Sequence, residues 1–198
     1  MNLVEKARVQ AFHRARFGAA PIAELGFRSA DSQLQRFATL CRWGDMSGSL
    51  VLDLGCGHGD LRPYLAARFT DTEYLGLDFL KEFVAVAEER HGHLPGTQFL
   101  QADFLSVGLP EVDIAIASGS LNYRSDNELH PWQAISRMWE CARKGVAFNL
   151  LDARHFIADE ILCGYDPDEV LRFCRQLDAK AELITGYLPD DMTVLLRR

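Results

Sequence analysis

The feature that most restricts the possible folds is a short apolar run that ends in a turn with three alternating glycines. Residues 50–60 have the sequence LVLDLGCGHGD. The glycines at positions 55, 57 and 59 permit positive φ angles and a close approach of another backbone or a ligand. A buried strand that enters such a turn is typical of the first unit of an open α/β sheet. In these sheets the crevice at the carboxyl end of the first strand binds nucleotide-like ligands.

Strand and helix patterns alternate after this turn. Apolar runs predict strands at residues 50–54, 73–78, 98–103, 113–118 and 145–151, with amphipathic helices between them. A further helix begins after Asp166, because an Asp followed by Pro167 and Glu169 favours a helix start. The last two strands, 181–187 and 192–196, are joined by a short turn and must pair antiparallel. The predicted fold is α/β, with a doubly wound, mostly parallel sheet, helices on both faces and one reversed strand.

The first fifty residues lack strands. Periodic apolar residues predict one helix over 4–17 and a second over 32–43, with Asp31 or Ser32 as its cap. We therefore divide the chain into an N-terminal helical lid, 1–48, and a Rossmann-like domain, 49–198, that together form one structural unit. Long loops after the fourth and fifth strands are expected beside this lid, above the carboxyl edge of the sheet.

Composition excludes several classes of protein. The chain has 198 residues, a net charge of −7 and five cysteines without a C-x-x-C spacing. A disulfide framework and a zinc site are not expected from this spacing, and we predict no bound metal. The acidic charge argues against nucleic acid as a partner, and no apolar run is long enough to span a membrane. We expect a cytoplasmic protein without a membrane partner, either a monomer or a homodimer.

The glycine spacing indicates which ligand the turn binds. A dinucleotide-binding turn has G-x-G-x-x-G, whereas this chain has G-x-G-x-G followed by Asp60. An acid at this place would repel a pyrophosphate and weaken the anion site of the following helix. A ligand with a cationic sulfonium and an amino group, and without phosphate, would not be repelled. S-adenosylmethionine is such a ligand.

Two further acids follow the next strands. Asp78 ends the second strand and is placed to accept the ribose hydroxyls, although enzymes that use NAD have an acid at a similar position. Asp103 ends the third strand and is placed to accept a hydrogen bond from an adenine amine. Phe79 and Phe104, which follow these acids, would flank an apolar adenine slot. The alternative is that the acids cap helices and the phenylalanines are core residues.

The glycine turn, Asp78, Asp103 and the segment 113–123 together resemble a class I, Rossmann-like, S-adenosylmethionine-dependent methyltransferase. The resemblance covers residues 32–198 and implies the strand order 3-2-1-4-5-7-6. It implies that Gly55, Cys56 and Gly57 form the methionine-binding loop above Asp53, with Cys56 as a small packing residue. It also implies ribose binding by Asp78, adenine binding by Asp103 and contact with the methionine end by Ser118. Residues 25–27, 33–37, 118–122 and 165–167 resemble a narrower group of small bacterial methyltransferases, for which no substrate is implied.

The acceptor is expected to be a small molecule. Methyltransferases of this fold that act on adenine or glutamine carry an Asn or Asp followed by Pro-Pro-Tyr after the fourth strand, whereas residues 118–123 are SGSLNY. The catalytic residues remain unknown, with Tyr123, His155 beside Asp152, and His13 as candidates for a general base. The other four histidines show no pattern that indicates a role. A nicotinamide-dependent oxidoreductase and a catalytically silent S-adenosylmethionine-binding regulatory module are the alternative functions.

The carboxylate of the cofactor requires a cationic partner. Arg36 lies on the helix before the first strand, and its planar guanidinium is suited to bidentate binding of a carboxylate. Gln33 lies one turn earlier on the same face and would add a polar contact. The alternative is that Arg36 is an exposed arginine without a partner, in which case Arg62 would take its place.

Overall fold

The centre of the molecule is a sheet of seven strands, described here from a computed structural model that covers residues 1–198. The strands are β1 (Leu50–Leu54), β2 (Glu73–Asp78), β3 (Thr97–Gln101), β4 (Val112–Ala117), β5 (Ala142–Leu151), β6 (Glu182–Thr185) and β7 (Asp191–Arg197). Their order is β3-β2-β1-β4-β5-β7-β6. The first five strands are parallel, and β7 runs antiparallel to both β5 and β6. The predicted fold class and strand order are confirmed.

Seven α-helices surround the sheet. They are α1 (Leu3–Arg14), α2 (Pro21–Glu24), α3 (Ala30–Leu40), α4 (Leu61–Ala66), α5 (Lys81–His91), α6 (His130–Cys141) and α7 (Pro167–Leu177). A bilayer-spanning helix needs about 20 apolar residues, and no helix here has the length and hydropathy to cross one.

The start of α3 differs from the prediction. The cap is Ser29, whose side chain accepts a hydrogen bond from the Ser32 amide, while the Ser32 side chain accepts one from the Ser29 amide. The prediction of Asp31 or Ser32 as the cap is therefore wrong, because Ser32 is the reciprocal partner three residues into a capping box. Asp166 does cap α7, accepting hydrogen bonds from the amides of Asp168 and Glu169.

Both faces of the sheet are covered, so the central strands are buried on both sides. Along β1, Leu52 and Leu54 pack into one core together with residues of α6 and α7, whereas Val51 packs into the core on the opposite face. Burial of each such side chain contributes about 1.5–3 kcal/mol. The two cores hold β1, β2 and β4 in register, so the segments that follow their carboxyl ends meet at one edge of the sheet.

The N-terminal helices differ in where they pack. Phe37 and Leu40 of α3 are part of the core that contains Val51 and Leu195, so α3 covers one face of the sheet. Helix α1 instead lies against the loops that follow β3 and β4. Its Glu5 is 5% exposed and accepts hydrogen bonds from the Asp126 amide at 2.6 Å and from the Ser125 hydroxyl at 3.1 Å.

Candidate functional site

A cavity opens at the carboxyl edge of the sheet, at the place where open α/β sheets bind ligands. Its empty volume is about 1570 Å³, which includes space open to solvent. The cofactor-site residues named from the sequence all line it: Arg36, Asp53, Gly55, Cys56, Gly57, Asp78, Phe79, Asp103, Phe104 and Ser118.

The turn after β1 lies close to two other segments of the chain, which carry Ser120 and Leu25. Gly55 has φ of 78°, and an added Cβ would overlap the side chain of Ser120, which donates a hydrogen bond to the Leu54 carbonyl. Gly57 has φ of 55°, and an added Cβ would lie 2.6 Å from Leu25. Only glycine suits these positions. The amides of Gly55 and Cys56 donate to the Leu77 carbonyl, which holds the turn against the end of β2.

Cys56 fits a packing role. Its side chain is buried, and burial together with the charges of Asp78 and Asp53 raises the pKa of its thiol well above the ordinary value. A protonated thiol is a poor nucleophile.

Asp78 follows β2 and is 6% exposed. Its Oδ2 accepts the Gly57 amide at 3.0 Å and its Oδ1 accepts the Leu80 amide at 2.9 Å. Each carboxylate oxygen therefore stabilises the loops and keeps a lone pair for a further donor. Burial raises the pKa of Asp78 to about 6, although the amides of Leu80, Gly57 and Phe79 oppose this shift.

Asp103 lies beyond the end of β3 and already has several partners. Its Oδ1 accepts the Leu105 amide at 3.0 Å, and its Oδ2 accepts the Ser106 hydroxyl and an ion pair from Lys6 of α1. Burial would raise the pKa of Asp103, but the hydrogen bonds from Lys6 and Ser106 outweigh it and hold the pKa below the ordinary value. Sequence reasoning missed Lys6, because nothing local connects it to a residue so far along the chain.

Asp53 lies beneath the glycine turn and is 2% exposed. Its Oδ2 accepts the Tyr74 hydroxyl at 2.5 Å, whereas its Oδ1 is buried without a partner. Burial raises the pKa of Asp53 to about 7, against the lowering effect of the Tyr74 hydrogen bond, and the charge of Asp78 adds to the rise. A buried carboxylate with a free oxygen is suited to a cationic group of a ligand.

Arg36 has a partner that the sequence did not indicate. Its Nε lies 3.0 Å from Oδ2 of Asp191 and its Nη2 lies 2.9 Å from the same oxygen. The alternative of an exposed, unpaired arginine is therefore wrong. The remaining Nη1 lies beside Gly119 at the cavity. Arg62 does not line the cavity, because its guanidinium binds Thr97 and the Pro95 carbonyl.

Two of the three candidates for a general base are in direct contact. The Nε2 atom of His13 lies 2.7 Å from Oη of Tyr123, and both residues line the cavity. His155 does not line it: its side chain is 62% exposed and its Nδ1 lies 3.3 Å from Oδ2 of Asp152. The structure thus joins His13 of α1 to Tyr123 of the loop after β4, and leaves His155 outside the cavity.

His130, to which sequence reasoning assigned no role, also lines the cavity. It is 3% exposed and its Nδ1 is buried without a hydrogen-bond partner. Burial lowers the pKa of His130 to about 4, so its imidazole is neutral near pH 7. Its place at the start of α6, after the loop that follows β4, is the signal that would have indicated it.

Comparisons with known proteins agree with this architecture. A family model described as a methyltransferase domain matches residues 51–145. A protein of Mycobacterium tuberculosis named "Putative methyltransferase Rv1506c" is 31% identical over 158 residues, which is 75% of this chain and 92% of that protein. Further curated relatives match over shorter segments; the fatty-acid O-methyltransferase of Mycolicibacterium smegmatis is 32% identical over 39% of this chain and 28% of its own length.

Solved structures share the fold. Magnesium protoporphyrin IX methyltransferase of Synechocystis PCC 6803, with bound S-adenosylmethionine, superimposes with a TM-score of 0.69 at 18% identity over 98% of both chains. The N-methyltransferase NodS of Bradyrhizobium japonicum WM9, with bound S-adenosylhomocysteine, gives 0.70 at 16% identity, over 96% of this chain and 97% of that one. The strand order, the glycine turn and the extensive match to the mycobacterial relative lead to one conclusion. The chain belongs to the class I, S-adenosylmethionine-dependent methyltransferases.

Proposed function

We propose that this enzyme transfers a methyl group from S-adenosylmethionine to a small-molecule acceptor bound in the same cavity. The observation that carries the proposal is the set of carboxylates with free oxygen lone pairs, Asp53 and Asp78, beside a glycine turn. Such a wall would repel phosphate groups and attract a ligand that carries an ammonium and a sulfonium. When bound, S-adenosylmethionine supplies an electrophilic methyl group.

Each part of the cofactor has a chemical partner in the cavity. The free Oδ1 of Asp53 and the loop Gly55–Gly57 would hold the ammonium end, and Nη1 of Arg36 would bind the carboxylate. Asp78 would accept the ribose hydroxyls with its remaining lone pairs. Asp103 is placed to accept the adenine amine in competition with Lys6. The last three assigned residues are Phe79 and Phe104, which would flank the adenine, and Ser118, which would contact the methionine end.

The acceptor would occupy the part of the cavity that the cofactor leaves free. Its wall is largely apolar and comes from the N-terminal segment and from the loops after β5 and β6, through residues Leu25, Phe27, Phe156, Leu162 and Leu188. A concave apolar wall encloses a small molecule better than it tracks a charged polymer. The Synechocystis neighbour is named for a small-molecule acceptor, magnesium protoporphyrin IX. A monomer and a homodimer are both compatible with this proposal, because the residues that carry it lie in one chain.

Within the N-terminal segment 1–48, helix α1 would act as a lid over residues 49–198, whereas α3 packs into a core of the sheet. Support comes from α1, which reaches two loops of the sheet edge. Lys6 pairs with Asp103 in the loop after β3, whereas Glu5 accepts from Asp126 and His13 contacts Tyr123 in the loop after β4. A closed lid would exclude water from the reacting groups, and its opening would admit the cofactor and the acceptor.

Calorimetry tests the cofactor assignment. The wild-type chain is expected to bind S-adenosylmethionine and not NAD. Asp78→Ala removes a charged hydrogen-bond acceptor worth about 1.5–3 kcal/mol, so affinity should fall by about 10- to 100-fold. Glu89→Ala, an exposed acid on α5, is the matched control and should leave affinity unchanged. Equal affinity in a folded Asp78→Ala protein would contradict the site. Methyl acceptance from a metabolite library separates an enzyme from a silent binding module.

A further inference from the structure

The hydrogen bonds of His13 have a fixed direction. Its Nδ1 lies 2.8 Å from the carbonyl oxygen of Glu24, and its Nε2 lies 2.7 Å from Oη of Tyr123. A carbonyl oxygen can only accept, so Nδ1 must carry a hydrogen. In a neutral imidazole Nε2 is then the acceptor. It follows that the Tyr123 hydroxyl donates its hydrogen to His13 and does not direct it into the cavity.

The surroundings of His13 favour the neutral imidazole. The residue is 2% exposed, and burial lowers its pKa below the ordinary value of 6.5, with further lowering by Arg16 and His58 and an opposing hydrogen bond to the Glu24 carbonyl. No carboxylate lies within ion-pair distance of the ring: the Glu24 side chain is directed to His58 at 3.4 Å. On its other sides the ring meets uncharged aromatic groups, Phe12, Phe83 and Tyr123.

Tyr123 consequently presents a lone pair to the cavity. Its hydroxyl has no other hydrogen-bond partner in the chain, and burial together with the charge of Asp78 raises its pKa far above neutrality. The Tyr123 hydroxyl therefore stays protonated near neutral pH. It can accept a proton from another group only if it passes its own proton to His13 in the same step. A lone pair of this kind attracts an O–H or N–H donor and repels a carboxylate.

We propose that the acceptor has an apolar body and a hydroxyl or amine N–H group, and that Tyr123 and His13 together remove its proton. This inference rests on the proposed function. Tyr123 touches the acceptor and is the catalytic residue, whereas His13 acts through it as the proton-accepting partner. A carboxylate acceptor, which has no proton to lose, is excluded by the same geometry.

The step balances in atoms and charge. The acceptor oxygen or nitrogen forms a bond to the methyl carbon, the carbon–sulfur bond breaks, and its electron pair remains on sulfur. Tyr123 takes the acceptor proton on Oη while its own proton moves to Nε2 of His13. The positive charge lost at sulfur appears on the His13 imidazolium, so the enclosed cavity keeps its net charge. A reaction that leaves the net charge of the cavity unchanged is favoured where water is excluded.

The test uses the full chain with two pairs of variants. His13→Gln keeps a donor for the Glu24 carbonyl and an acceptor for Tyr123 but cannot take a proton, and Tyr123→Phe removes the hydroxyl. The matched controls are His93→Gln, an exposed histidine, and Tyr64→Phe, a tyrosine outside the cavity. Calorimetry first measures S-adenosylmethionine affinity. Methyl transfer from deuteromethyl cofactor is then followed by mass spectrometry in a library of phenols, enols, alcohols, amines, carboxylates and thioethers.

We expect the wild type to methylate phenols, enols, alcohols or amines. Both cavity variants should bind the cofactor with affinity within about threefold of wild type and lose about 10²- to 10⁴-fold in kcat. In the wild type kcat should fall as pH drops and His13 becomes protonated, and this acid limb should vanish in His13→Gln.

Three results would overturn the inference. The first is methylation of carboxylates or thioethers alone, and the second is a chain that binds the cofactor but methylates no hydroxyl or amine compound. The third is an unchanged kcat in both cavity variants. Failure of every variant and of the wild type to bind S-adenosylmethionine would instead reject the proposed function itself.

Discussion

Arg36 and Asp191 form an ion pair that joins helix α3 to the first residue of β7, with Nη2 and Oδ2 2.9 Å apart. The side chains are 14% and 2% exposed. Burial raises the pKa of Asp191, the Arg36 charge opposes this, and the neighbouring Asp190 adds to the rise. The pair orients the guanidinium so that Nη1 remains at the cavity, which gives Arg36 two roles: it neutralises Asp191 and presents a donor to the cofactor carboxylate.

The first prediction separates these roles. Arg36→Lys keeps the charge but has no planar fork, so S-adenosylmethionine affinity should fall by about tenfold, the equivalent of about 1.4 kcal/mol. Arg36→Ala should also destabilise the fold by about 3–5 kcal/mol, because it leaves Asp191 buried and unpaired. Calorimetry and urea denaturation measure the two effects. The exposed Arg42→Lys is the control, and unchanged affinity in both Arg36 variants would reject the assignment.

The second prediction concerns the dependence of stability on pH. Asp53 has its pKa raised from 3.8 to about 7, so over that range the folded chain binds more protons than the unfolded chain. The free energy of unfolding should therefore decrease as pH rises through this window, with a contribution from Asp53 of at most about 1.4 kcal/mol per pH unit.

Urea denaturation across this window should show the contribution as a difference between two proteins. Asp53→Asn cannot titrate and should lose less stability on going from acid to neutral pH than the wild type does. Parallel curves for the two proteins would contradict the prediction.

The third prediction concerns His130. An unsatisfied buried polar atom costs about 1–3 kcal/mol. His130→Leu should therefore raise the free energy of unfolding of the cofactor-free chain, as measured by urea denaturation. If the Nδ1 atom contacts the cofactor near Asp103, the same variant should lose affinity for S-adenosylmethionine by about three- to tenfold. The variant is therefore expected to be more stable than the wild type and to bind S-adenosylmethionine less tightly. A variant that is less stable and binds the cofactor as tightly as the wild type would show that His130 is a core residue only.

The fourth prediction concerns the lid. Neither core of the sheet contains a residue of 1–17, so a chain that begins at residue 18 should keep its strand content and a cooperative unfolding transition. Loss of Lys6, Glu5 and His13 opens the cavity and removes the partner of Tyr123, so methyl transfer should be abolished or greatly slowed. Circular dichroism and the library assay measure both properties. Full activity of the truncated chain would rule out a lid.

Local sequence pattern determined most of the architecture. Apolar runs and the glycine spacing predicted all seven strands, and β1 and β2 have the predicted bounds. The carboxyl ends of parallel strands meet at one edge, so Asp53, Asp78 and Asp103 were expected at the same cavity, and they line it. Bounds elsewhere shifted by a few residues; β3 ends at Gln101 rather than Asp103, because strand ends depend on pairing with a neighbour.

Tertiary structure alone decided which of these side chains have partners. Lys6 pairs with Asp103, His13 with Tyr123 and Arg36 with Asp191, across 97, 110 and 155 positions of the chain respectively. Periodicity describes only the local face on which a side chain lies, so it cannot indicate a partner that the fold brings from another element. The direction of the hydrogen bonds at His13 depends on the backbone carbonyl of Glu24. Every residue has a backbone carbonyl, so the sequence does not indicate which one His13 contacts. For this reason the sequence indicated where the cavity lies, and the folded chain determined its chemistry.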